Sequence, residues 1–103
     1  MIVTTADLIP GQNVTVLGLV RGNIVTSKNV GRDIMAGAKQ LIGGEIKTYT
    51  DMTNEARTVA EERMIAEAGK LGADAIVAMR FASESLDPGV TEMLAYGTAV
   101  KFA

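Results

Sequence analysis

Residues 90–102 read Val-Thr-Glu-Met-Leu-Ala-Tyr-Gly-Thr-Ala-Val-Lys-Phe. Side chains of a strand point alternately to its two faces. One face of this stretch carries Leu94, Tyr96, Val100 and Phe102. The other carries Met93, Ala95, Gly97 and Ala99. A sheet covered on one side should alternate between apolar and polar residues. This strand is apolar on both faces. Only one of them can lie under the chain's own helices. The other, if exposed, forms a large apolar patch on a small protein. Burial against further copies of the same chain is the simplest remedy. The alternative is a cover made by the N-terminal piece and a short helix of the same chain.

Working back toward the N-terminus, Leu86-Asp87-Pro88-Gly89 reads as a tight turn, because proline presets φ and glycine accepts positive φ. Residues 74–84 are β-prone, so the turn joins two strands into a hairpin. Before them runs a long helical pattern, 45–71. Its apolar stripe is Ile46, Tyr49, Met52, Ala56, Val59, Ala60, Met64, Ala68 and Leu71, spaced by threes and fours. Gly72 is placed to stop that helix. Ile34, Met35, Ala38, Leu41 and Ile42 give a short helix over 33–42, ended or kinked by Gly43-Gly44.

Residues 28–32 form a loop. Residues 13–27 are rich in β-branched residues and read as a long strand. Simple alternation puts Val14, Val16 and Val20 on one face with Gly18 and Gly22, and Leu17 and Leu19 on the other. Glycines inside a strand point to a bend, a bulge or a close backbone approach. Residues 2–5 form a further short β-prone piece before a turn at Pro10-Gly11. The order is strand, helix pair, hairpin. A helix of this length spans about 40 Å and can cover a strand of about 43 Å. The expectation is one domain, 1–103, an α/β fold of the two-layer α+β sandwich type.

Composition excludes much chemistry. The 103 residues contain no cysteine and no histidine. Disulfides, thiolate metal sites, cysteine nucleophiles and histidine-based triads are therefore ruled out. A metal would need hard, oxygen-only coordination. The net charge of −2, with 4% aromatic residues, gives neither a basic stripe for nucleic acid nor a stacking platform. Residues 1–9 contain Asp7 and lack the basic and apolar regions of a signal peptide. No apolar run approaches the ~18–20 residues of a membrane span. The expected location is the cytoplasm.

Candidate sites carry competing readings. Glu55 and Glu62 lie seven apart on one helix face and are the candidate metal ligands. Beside Arg57 and Arg63, however, such helix-borne carboxylates usually form a solvated ion-pair face, and that reading is favoured. Lys28, Gly31 and Arg32 before Asp33 form either an anion-binding loop or an ordinary connection. Tyr49 and Tyr96 place hydroxyls beside apolar surface, at an interface or in the core. Glu92 interrupts an apolar run, facing a cleft or ending the strand. Glu45, Arg57, Asp74, Arg80 and Glu92 form a catalytic group only if the fold gathers them.

The chain resembles the YbjQ-like family, which is labelled as heavy-metal binding. The resemblance rests on Ile42-Gly43-Gly44-Glu45 with Tyr49, Ala56-Arg57 with Ala60, Leu71-Gly72-Ala73-Asp74-Ala75-Ile76-Val77, and Ala95-Tyr96-Gly97-Thr98-Ala99-Val100. It implies a dodecin-subunit-like β-α-β-β sheet in the order 1-3-2, covered by one long and one short helix. It also implies a ring-shaped homo-oligomer, a pentamer. Tyr49, Arg57 and Glu92 match positions that the family pattern fills; with Tyr96 they form the candidate ligand-binding set. No particular cofactor is implied. The expected function is a non-enzymatic oligomeric module binding a small ligand, an ion or a partner between subunits. Carboxylate-based metal binding is the alternative, and an enzyme with an inter-subunit Glu, Arg or Tyr site is a third reading.

Overall fold

A computed structural model describes residues 1–27, 41–42 and 45–103, with side chains from 49 onward in the last segment. The elements are β1 (Ile2–Val3), β2 (Val14–Ser27), β3 (Leu41–Ile42), β4 (Glu45–Ile46), α1 (Lys47–Lys70), β5 (Ala75–Asp87) and β6 (Val90–Phe102). The main sheet has the order β1-β5-β6-β2. Its three long strands therefore run first, last, middle, the order that the resemblance implies. β1 joins β5 in parallel, while β5–β6 and β6–β2 are antiparallel. Helix α1 lies on one face, over β2 and β6 rather than β5. The fold is α+β, with a four-stranded mixed sheet and one described helix.

Most of the short helix expected over 33–42 lies outside the described residues. Its last two residues are corrected: Leu41 and Ile42 are strand, paired antiparallel with Ile46 and Glu45. Two glycines between β-prone pairs are a hairpin signal as well as a helix stop, and the ladder takes Glu45 and Ile46 from the start of the long helix. At the other end of α1, Gly72 adopts φ 74°. Its amide donates to the carbonyl of Gly69, and the Ala73 amide donates to that of Ala68. This is the Schellman arrangement that glycine accommodates without strain.

The core is built from small residues. Ala56, Ala60, Met64 and Ala68 of α1 meet Val20, Ile76, Met79, Met93, Ala95 and Ala99 of the sheet. The remaining ends of the apolar stripe, Tyr49 and Leu71, are exposed. Alanines let the helix approach closely, and Gly22 shows how closely. A Cβ there would run into the backbone of Ala60, Arg63 and Met64. Of the two glycines in β2, only Gly22 marks that approach.

Gly18 marks a bulge instead. Between Val16 and Gly18 the pairing with β6 slips by one residue, with Gly18 at φ 141°. A one-residue slip moves every later side chain to the other face. The simple alternation expected for this strand is therefore corrected. Val14, Val16 and Leu19 share the face away from the helix, while Val20 and Gly22 lie under it. β5 has its own irregularity between Val77 and Arg80, with Ala78 at φ 52°. Residues of the N-terminal loop stitch it down: Ala78 donates to Ala6, Met79 to Thr4, and Thr4 to Ile76. Asp74 closes this end by accepting the Phe102 amide at 2.8 Å.

The hairpin loop is Pro88-Gly89, between paired Asp87 and Val90. Gly89 has φ 75°, as a type II turn requires after proline. Turns of that hand splay the flanking strands. The pairing shift between Ser85 and Asp87 takes up the mismatch.

Candidate interaction face and edge groove

Among the described residues, the sheet face away from α1 is partly covered at one end only. There Ile9, from the loop after β1, packs with Val14, Ala75, Val77, Val100 and Phe102. The rest is open. Leu19 is 67% exposed, Val16 66% and Val25 52%, with Tyr96 also exposed. Of the two faces of the last strand, the small one (Met93, Ala95, Gly97, Ala99) lies on the helix side, and Leu94 and Tyr96 are left outside.

Register sorts the polar groups of this face into rows. Arg21, Tyr96 and Arg80 lie side by side across three strands. Two rows further, Val25, Glu92 and Glu84 do the same. The guanidinium of Arg80 donates to the carbonyls of Thr5 and Met79, 3.0 and 2.8 Å away. The Glu92 carboxylate accepts from the Asn23 amide at 2.8 Å. Arg21 and Glu84 have no such partner among the described residues.

A groove of about 840 Å³ wraps the outer edge of β2. Its walls are Leu19–Asn23 of the strand, Glu67, Lys70 and Leu71 at the end of α1, and Glu92 and Leu94 of the open face. Arg63 reaches over this edge and donates to the Asn23 carbonyl at 2.7 Å. The Lys70–Glu67 pair at 3.5 Å is exposed on both sides and contributes little to stability.

The candidate ligand set divides between the two layers. Tyr96 and Glu92 stand on the open face, about 13 Å apart along β6. Tyr49 and Arg57 belong to the helix layer on the other side of the sheet, with Arg57 bonded locally to Asn54. One copy of the chain does not gather all four. Glu55 and Glu62 are both exposed on α1, two turns or about 10 Å apart along the axis. No group of three metal-ligating side chains forms among the described residues. No catalytic pair was expected, and one copy of the chain does not gather Arg57, Asp74, Arg80 and Glu92. Asp74 faces Lys101 and the Phe102 amide, and the other three hold separate partners. The side chain of Glu45 and the Lys28–Asp33 loop lie outside the described residues. Sequence reading passed over Arg21, Asn23 and Glu84, and took Arg63 only as part of the charged helix face. Their shared signal, polar groups in an apolar strand or at its edge, acquires meaning only once the bulge sets the register.

The fold and this surface define a class: a small two-layer α+β domain whose sheet is covered on one face and largely open on the other. No described helix is long and apolar enough to cross a membrane. The chain belongs to the YbjQ family, whose model, described as "Putative heavy-metal-binding", matches residues 1–103. It is 56% identical to a UPF0145 protein of Thermotoga maritima, over 98% of this chain and 96% of that one. A UPF0145 protein of Thermosipho africanus is 59% identical, over 98% and 94%. A crystal structure of a DUF74-family protein from Pediococcus pentosaceus matches with a TM-score of 0.71. Its identity is 18%, covering 100% of this chain and 98% of that one. At that identity the likeness speaks for the fold.

Proposed function

We propose that the domain is a non-enzymatic self-assembling module of the cytoplasm: a ring-shaped pentamer that takes a small ligand, an ion or a partner between its subunits. The open sheet face carries this reading. Val16, Leu19 and Val25, each more than half exposed, with Tyr96 beside them, form a patch that a monomeric protein would ordinarily bury. The two margins of the sheet also differ, one formed by β2 and the other by β1 and the part of β5 that β1 leaves uncovered. Unlike margins suit head-to-tail contacts, which close into rings. Subunit boundaries are common places for ligand pockets. A site there would draw Tyr49 and Arg57 from one copy and Glu92 and Tyr96 from the next. Native mass spectrometry tests this, reporting stoichiometry and retained ligand together. A single-chain mass at micromolar concentration overturns it.

The family description favours a second reading, a metal held by carboxylates. Soft metals prefer thiolate and imidazole, and the chain has neither. Its methionine thioethers apart, its donors are oxygens, which suit a hard cation better than a heavy one. Calorimetry with zinc, copper and calcium decides: no binding tighter than ~1 mM ends this reading.

A further inference from the structure

We propose that the row Arg21, Tyr96 and Arg80 on the open sheet face is an anion-binding site, and that its ligand is a phosphoryl group, free or as the monoester of a small molecule. This rests on the ligand-binding part of the proposed function and names the chemistry of the ligand. All three side chains come from one copy of the chain, so the site does not depend on assembly.

Two irregularities build the row. In β2, the slip between Val16 and Gly18 turns Arg21 to the open face. Unbroken alternation from Val16 would send it under the helix. In β5, Val77 pairs with Thr98 and Arg80 with Tyr96, three steps on one strand against two on the other. Ala78, at φ 52°, lies in the extra step, and Arg80 is turned outward. Irregularities of this kind re-aim side chains, and a left-handed alanine is a strained one. The same slips seat Val20 and Met79 in the core, so the core and the row are made together. Tyr96 is thereby flanked by an arginine on each side, one strand spacing or about 4.8 Å away.

The two charges are unanswered. The ion pairs among the described residues are Lys70–Glu67 and Lys101–Asp74, and neither arginine of the row takes part. Asp7, in the N-terminal loop, forms no ion pair with them either. Arg80 donates through Nη1 to two neutral acceptors, the carbonyls of Thr5 and Met79. They fix its guanidinium without compensating its charge. The carboxylates of this face, Glu84 and Glu92, stand four residues along the strands from the row. That is about 13 Å, beyond the reach of unscreened attraction at 0.1 M salt. A group seated over Tyr96 lies within reach of both long arginine side chains. Guanidinium forks bind phosphate oxygens bidentately, and the phenol is a further donor. A phosphoryl group, with three acceptor oxygens and a charge near −2, answers two arginines, whereas a carboxylate answers one.

Calorimetry on the full chain at pH 8 and low chloride tests the site. Inorganic phosphate and glycerol 3-phosphate should each bind once per chain, with a Kd of about 1 mM or tighter. Acetate should bind about tenfold more weakly or not at all. Whichever phosphate binds more tightly tells a free phosphate ligand from a monoester. R21Q should weaken phosphate binding about tenfold or more. It breaks no side-chain contact among the described residues, so it decides the matter even where R80Q, which also releases the Thr5 carbonyl, fails to fold. K101Q removes the same charge five residues along β6, on the other face, and should change binding less than about twofold. Three results overturn the inference: no saturable phosphate binding by the unmodified chain, unchanged binding in folded R21Q, or acetate held as tightly as phosphate. Native mass spectrometry of the same samples separates this from the assembly reading. A multimer that binds no phosphate overturns the site and leaves the assembly standing. A single chain that binds phosphate and loses it in R21Q does the reverse.

Discussion

Strand β5 is two different strands in one. From Ala75 to Met79 it is buried apart from half-buried Ala78, with core on both faces and the N-terminal loop along its edge. From Arg80 to Asp87 it is exposed throughout. The sequence does not announce the change, since Phe81 and Leu86 are as apolar as the residues before them. What changes is the neighbourhood. Helix α1 lies over β2 and β6, and Phe81, opposite Ala95 on the helix side, is left 43% exposed. Hydrophobic burial is non-directional and scales with area removed from water. An apolar residue is therefore core only where another layer reaches it. The first half of the strand stabilises the chain; the second half offers surface.

The sharpest way to break the covered half is Gly22→Ala. Its Cβ must displace helix backbone rather than a flexible side chain, so the helix must lift. A loss of about 3 kcal/mol or more is expected, measured by urea unfolding. Gly18→Ala, with nothing within 4 Å, should cost only the strain of its positive φ, on the order of 1–3 kcal/mol, and less than Gly22→Ala. Equal losses would mean that the close helix approach is not the reason for Gly22.

Met64→Ala removes one of the largest fully buried side chains and should cost about 2–5 kcal/mol. Leu86→Ala, in the exposed arm, should stay within about 0.5 kcal/mol. A comparable loss at Leu86, measured at a concentration where the protein is a single chain, would erase the contrast within β5.

Asp74→Ala takes the acceptor from the Phe102 amide and the partner from Lys101, 3.8 Å away. A loss of about 1–2 kcal/mol is expected, with faster hydrogen exchange at Phe102. The smallest effect is expected for Ala78→Gly. Glycine removes the left-handed strain of ~1 kcal/mol, and its greater freedom when unfolded returns most of that. Stability should change by no more than about 0.5 kcal/mol, whereas Ala82→Gly, in the exposed strand, should lose about 0.5–1 kcal/mol.

The sequence carried the elements well where local physics decides them. The last strand was read as 90–102 and is Val90–Phe102. The stop at Gly72 and the Pro88-Gly89 turn follow from φ preferences alone. Alternation misled at β2, because a bulge leaves no mark in composition beyond a glycine. Periodicity misled at Leu41–Ile42, because two residues cannot distinguish a helix end from a ladder. The candidate site was less legible. Tyr96 and Glu92 were singled out as polar groups in an apolar strand. Their neighbours Arg21, Asn23 and Glu84 come from other strands, and register alone joins them.

By itself the sequence determined that this is an α+β domain with an aliphatic, methionine-containing core, without the side chains for thiol or imidazole chemistry. It also determined that the last strand is apolar on both sides. Those facts depend on residue type and near-neighbour spacing. Only the tertiary structure decided which face the helix covers, that the slip at Gly18 turns Val14 and Val16 outward, and that Arg21 and Glu84 have no side-chain partner among the described residues. Each is a matter of distance between residues far apart in the chain, set by the close packing of α1 against Gly22 and by the pairing of β6 with both of its neighbours.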